Sequence, residues 1–150
     1  MASTINSETL ERGRDDFMRG YVGGMLFANT LITRNGEEGE FDNVIYWFQS
    51  PGRWWEDTPV DLGDAAAFWE SFAYVILSLD YGKRGENWPS EELAGHDFAL
   101  TRNGHGAGFW DRGMGTIGDM LTEECKPYGT HTLILCVDED SNVISAHNEN

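Results

Sequence analysis

The sequence predicts an α+β fold, with helices packed on a small, mostly antiparallel β-sheet. Three observations predict it. Apolar residues recur at helical spacing from Glu8 to about Ala28, and again through residues 62–79. The C-terminal stretch "THTLILCVDEDSNVISAH" reads as two strands around a polar turn. One domain over residues 1–150 accommodates these elements, because 40% of the chain is hydrophobic and no repeat or separable linker divides it.

The first helix carries Leu10, Phe17, Met18, Tyr21, Val22 and Met25 on one stripe, with Asn6 or Ser7 as its cap. Gly13, Gly20, Gly23 and Gly24 lower its intrinsic propensity, so it requires tight packing against a neighbour. "RNGEEGE" (34–40) reads as turn and loop, and "FDNVIYWFQS" (41–50) as a buried strand with a short helix as the alternative. A loop with Trp54 and Trp55 follows. Thr58 then caps a central helix, with Pro59 at its first position and Asp61 at its third, running to Leu79. Its core face is Leu62, Ala65, Phe68, Trp69, Phe72, Val75, Ile76 and Leu79.

Glycines and a proline interrupt the chain over 80–95, leaving a short helical turn at Ser90–Ala94. Residues 97–111 read as two extended segments joined by "NGHG", with Asn103–Gly104 supplying the positive dihedrals of a hairpin connection. Thr116 and Asp119 open a last helix, with Ile117, Met120, Leu121 and Cys125 as its stripe and Pro127 near its end. Asp138–Asn142 form the turn of the closing hairpin.

Charge narrows the function classes. The chain has 26 acidic and 10 basic residues, a net −16 at pH 7. Such a surface repels nucleic acid and anionic membrane and attracts cations and basic proteins. Solubility or salt tolerance is the plainer explanation. Cys125 and Cys136 form no C-x-x-C pair, the N-terminus lacks an apolar signal segment, and "YVILSL" (74–79) is too short to span a bilayer. A cytoplasmic location with free thiols is the expectation.

The stretch "TRNGHGAGFWDRG" (101–113) is the one candidate for chemistry. Gly104, Gly106 and Gly108 allow close backbone approach, but the spacing matches neither a phosphate-binding loop nor a dinucleotide fingerprint. In a catalytic reading His105 is the acid or base with Asp111 beside it, and Arg102, His105 and Arg112 bind an anion. In a structural reading the arginines and Asp111 form an ion-pair network with a hydrogen-bonded His105. His96, Asp97, His105, Asp111 and His131 lack metal-ligand spacing, so neither a metal nor a cofactor is expected. Trp69 belongs to the core, whereas Trp54, Trp55 and Trp88 sit beside turns. No basic surface accompanies them for nucleic-acid stacking.

Acidic residues occur along the whole chain. Asp57, Asp61, Asp64, Glu91, Glu92, Glu123 and Glu124 are the candidates for contact with a basic partner. Carboxylates on rigid elements can also mimic the charge of DNA and occupy the groove of a nucleic-acid-binding protein.

"GHDFALTRNGHGAGFWDRG" (95–113), followed by "LTEECKPYG" (121–129), resembles a recurrent segment of small phage-encoded proteins without an established activity. The resemblance covers roughly the last third of the chain. It implies a phage or mobile-element accessory protein in the cytoplasm of an infected cell and assigns no role to His105. The leading expectation is a non-enzymatic acidic accessory protein that binds a basic host or phage protein. The alternative is a small enzyme or ligand-binding protein using Arg102, His105, Asp111 and Arg112.

Overall fold

Asn6 starts the first helix. Its side-chain oxygen accepts the amide proton of Thr9 at 2.8 Å, and its carbonyl accepts from Leu10, which satisfies amide donors that a helix start leaves orphaned. A computed structural model describes residues 6–28, 30–39, 61–82, 88–140 and 143–149. Helix α1 spans Ser7–Ala28, α2 Gly63–Leu77, α3 Ser90–Arg102 and α4 Thr116–Cys125. Single 3₁₀ turns lie at Phe109–Asp111 and Lys126–Tyr128. Strands β1 (Thr30–Arg34), β2 (Glu37–Glu38), β3 (Thr132–Val137) and β4 (Val143–Glu149) form a mixed sheet in the order β2-β1-β3-β4. The fold is α+β. Two pairings, β1–β2 and β3–β4, are antiparallel, while β1 and β3 run parallel with Ile32 opposite Leu135.

Helix α1 buries Phe17, Met18, Tyr21, Val22 and Met25, the stripe its periodicity predicts. Its glycines explain how it packs. A Cβ on Gly20 would strike the carbonyl oxygen of Glu92 on α3, and a Cβ on Gly95 would strike the carbonyl oxygen of Phe17 on α1. The two backbones are therefore in direct contact, with no side chain between them at these positions. This contact returns the propensity that the glycines forfeit.

Helix α2 begins later than expected. Its first residue is Gly63, whose amide is bonded by the Asp61 carboxylate at 2.8 Å. Asp61 and Leu62 lie ahead of the helix and do not form its first turn. Thr58 and Pro59, the strand expected at 41–50, and Trp54 and Trp55 fall outside the described residues. Ala65, Phe68, Trp69, Ala73 and Ile76 are buried on α2. Phe68 is the hub: its ring centroid lies 4.3 Å from Phe98, 4.8 Å from Phe72, 6.0 Å from Phe109 and 6.1 Å from Phe17. These separations suit offset aromatic packing, and they join α1, α2, α3 and the 3₁₀ turn in one cluster.

The two extended segments expected over 97–111 are absent. Helix α3 continues through Arg102 and ends in a Schellman motif. The Gly104 amide donates to the Thr101 carbonyl at 3.1 Å and the His105 amide to the Leu100 carbonyl at 3.0 Å, with Gly104 at φ +66°. Asn-Gly carries the positive dihedral that was read as a hairpin turn, but a helix C-terminus requires the same dihedral. A true two-residue hairpin lies elsewhere. Asn35 and Gly36, at φ 54° and 80°, connect β1 to β2, so residues 34–38 are ordered pairing and not loop alone.

The last helix and the closing hairpin lie where expected, with two differences in the first turn of the helix. Gly115, at φ +60°, takes the N-cap place expected of Thr116. Leu121 and Cys125 are buried, while Ile117 is exposed. Along β3, Leu133, Leu135 and Val137 alternate inward, and Leu133 and Leu135 meet the helical core. Among the described residues no helix is long and apolar enough to cross a membrane.

Candidate functional site

Arg102, placed at the end of α3, is enclosed. Its side chain is 0% exposed and pairs with the Asp64 carboxylate at 2.9 Å. Nε donates to the Gly129 carbonyl at 3.0 Å, Nη2 to the Tyr128 carbonyl at 2.9 Å, and Nη1 to the Tyr21 hydroxyl at 3.1 Å. The guanidinium also lies 5.6 Å from the Phe98 ring centroid and 5.8 Å from that of Tyr128. One side chain thus ties α1, α2, α3 and the turn before β3. Burial pushes the Tyr21 phenol up, against the opposing pull of Arg102. His131 Nδ1 lies 3.8 Å from the same Asp64 oxygen.

Arg112 is held by a different carboxylate. Its Nη2 donates to Asp97 at 2.7 Å and its Nε at 3.1 Å, with the two side chains 7% and 2% exposed. The pair draws the loop after α3 back onto the helix. Thr101 reinforces it by accepting the Phe109 amide at 3.1 Å, and Asn103 by accepting the His131 amide at 2.8 Å. Arg112 is raised by its hydrogen bonds to Asp97. Tyr81 is buried beside this pair, and among the described residues its hydroxyl meets no partner at hydrogen-bond geometry. Burial, and then the Asp97 charge, push its phenol up.

His105 sits apart from both pairs, exposed on the loop. Among the described residues its imidazole takes no hydrogen bond or ion pair; its ring neighbour is Phe27, at 5.6 Å. Asp111 is also exposed. A general base needs a group that orients it and a group that stabilises developing charge; Arg102 and Arg112 are both committed to other carboxylates. Phe27 also lies 5.9 Å from His96, which in turn lies 6.0 Å from Trp88. Trp88, Leu93, His96 and Arg112 line a small cleft of about 240 Å³ there. Cys125 is buried and its thiol is pushed up to about 12 by burial, so it is protonated at neutral pH and is no nucleophile. Among the described residues no three His, Cys, Asp or Glu side chains converge as a metal site.

The acidic candidates divide by location. Asp61, Glu123 and Glu124 are exposed, Glu91 and Glu92 are half-buried in the first turn of α3, and Asp64 is spent on Arg102. Glu123 also pairs with Lys126 at 2.8 Å. Asp57 lies outside the described residues. Asp16 on α1 faces Glu91 and Glu92 on α3. Burial raises Asp16, with Glu91 adding to it, and burial raises Glu92, with Asp16 adding; Arg19 opposes both, and Arg12 also opposes the rise at Asp16.

Both carboxyls therefore have a folded pKa above the unfolded one. The cost of ionising them is complete above the folded pKa and is relieved as pH falls through it. Asp16→Asn is expected to raise the melting temperature near neutral pH and to shrink the gain in melting temperature on mild acidification. Thermal melts across that range check this, and an Asn variant that melts below wild type near neutral pH contradicts it.

An open groove of about 430 Å³ lies between α1 and α2. Leu10, Trp69, Ala73 and Tyr74 form its apolar lining, with Glu11 and Glu70 at its edges and Arg14 on the α1 wall. Gly13 positions it, because a Cβ there would come within 2.7 Å of the Trp69 indole. Sequence reasoning missed this groove. Leu10 and Trp69 read as ordinary stripe residues, and the exposure of Tyr74 breaks no helical periodicity. The Asp97–Arg112 and Asp64–Arg102 partnerships were equally hidden, since each joins residues on separate elements. Comparison of the chain with protein-family models, with curated proteins and with solved structures yields no match.

Proposed function

We propose that this chain is a non-enzymatic acidic binding protein whose partner is a basic protein. One observation carries the reading: Arg102 and Arg112, the cations that an anion-binding site would need, are withdrawn into internal ion pairs, while carboxylates stay exposed on several elements. Glu8 and Glu11 lie on α1, Glu37 and Glu38 on β2, Glu70 on α2, Glu123 and Glu124 on α4, and Glu139 and Asp140 in the last turn; all are exposed. Each pair is neutral, so setting both aside leaves the net −16 on the rest of the chain. A field of one sign speeds encounter with a cationic surface and repels phosphate.

Basic nucleic-acid-binding proteins offer the largest complementary surface, and the chain serves as a DNA-mimic inhibitor of one of them. The resemblance of residues 95–113 and 121–129 to phage-encoded proteins favours a host or phage partner in the cytoplasm of an infected cell. A panel of basic DNA-binding host proteins tests this by competition with duplex DNA. The expected result is displacement of DNA from one member, with affinity falling steeply as salt rises from about 0.1 M to about 1 M and the screening length shrinks from about 10 Å to about 3 Å. A panel that binds DNA normally and never binds this chain refutes the inhibitor reading.

A further inference from the structure

We propose that the α1–α2 groove docks a cationic amphipathic helix of the basic partner, an inference that rests on the reading of the chain as a binder of basic proteins. The groove is about one helical turn long on each side. Leu10 and Arg14 are one turn apart on α1, as are Trp69 and Ala73 on α2. That length receives one or two apolar side chains at i and i+3 or i+4 of an incoming helix. Tyr74 stands 64% exposed at its edge, an amphipathic ring suited to cover such an anchor.

Charge selects the occupant. Two carboxylates and one guanidinium line the groove. Beyond Glu11, α1 carries Glu8 at i−3, which pairs with Arg12 at 3.6 Å, and Asp15 at i+4 on the same stripe. On α2, Glu70 and Tyr74 share the exposed face one turn apart. A helix with lysines or arginines flanking its apolar anchor meets carboxylates on both sides, whereas an acidic or neutral amphipathic helix meets the same apolar floor through a repulsive or indifferent rim.

The probes are two synthetic peptides of identical Leu/Lys composition. One has its leucines at i, i+3, i+4 and i+7; the other is scrambled so that no apolar face forms. Calorimetry on the full chain is expected to find the amphipathic peptide bound about tenfold more tightly than the scrambled one, the effect of burying one apolar side chain. Amide shifts should map to Leu10, Arg14, Ala73 and Tyr74. Tyr74→Ser is expected to reduce the preference towards parity while leaving the scrambled peptide's affinity unchanged. Glu70→Lys should weaken the amphipathic peptide more than the scrambled one. Equal affinities in the wild type, or a preference that survives Tyr74→Ser, overturns the groove while salt-sensitive binding of both peptides sustains the charge-based reading. Binding of neither peptide overturns both.

Discussion

Replacing Gly95 by alanine is expected to lower the melting temperature by about 5 °C or more, while Gly23→Ala, at a position of α1 that no neighbouring atom crowds, raises it by a few degrees. The added methyl at position 95 collides with the Phe17 carbonyl oxygen and crowds the Tyr21 amide. These are backbone atoms within a helix, so no rotamer change relieves the overlap and α1 must separate from α3. Overpacking a core by one methyl ordinarily costs about 1–3 kcal/mol; an overlap that only helix displacement can relieve lies at or above the top of that range. The gain in helix propensity from glycine to alanine offsets roughly 1 kcal/mol. At Gly23 a Cβ meets nothing within 4 Å, so the propensity gain stands alone. Thermal melts of the two variants, with Gly20→Ala as the reciprocal of Gly95→Ala, check the pair. If Gly95→Ala melts with the wild type, the two backbones are not in contact.

Asp97→Ala is the second severe substitution. It leaves the Arg112 guanidinium largely buried without its bidentate acceptor, and breaking a buried ion pair from one side costs about 3–5 kcal/mol. The loop from Asn103 to Gly113 loses its latch onto α3, and Phe109, wholly buried against Phe68, loses its restraint. The double variant Asp97→Leu with Arg112→Met removes both charges and keeps most of the volume. It is expected to recover much of the lost stability, because apolar replacement of a whole buried pair is frequently neutral or better. Chemical denaturation of the singles and the double measures the coupling. If the singles and the double are equally destabilised, the pair is not what holds the loop. His105→Ala provides a further contrast: its exposed ring removes neither latch, and the stability of the fold should change little.

The segment 95–113 shows how one set of residues supports two readings. Its glycines, arginines and histidine resemble a ligand loop by composition. In space, Gly104 closes a helix, Arg102 and Arg112 fasten two different junctions, and Thr101 and Asn103 satisfy backbone amides. The composition that reads as a ligand loop thus falls on residues that hold this fold together.

Local chemistry was sufficient for much of this. Helical periodicity marked the buried stripes of α1 and α2, Asn6 or Ser7 marked the first cap, and an apolar run before the polar turn in "THTLILCVDEDSNVISAH" marked β3, because each signal resides in residues a few positions apart. Charge composition set the expectation of a cationic partner over nucleic acid. What the tertiary structure decided were the cases where one local signal has two solutions. Asn103–Gly104 suits a hairpin or a helix end, and only the packing of Ala94, Phe98 and Gly95 against α1 makes residues 97–102 helical. Which carboxylate neutralises Arg102 depends on α2 lying beside α3, a contact between residues 38 positions apart. Ion pairs and grooves of this kind belong to the approach of whole elements, and sequence spacing carries no record of that approach.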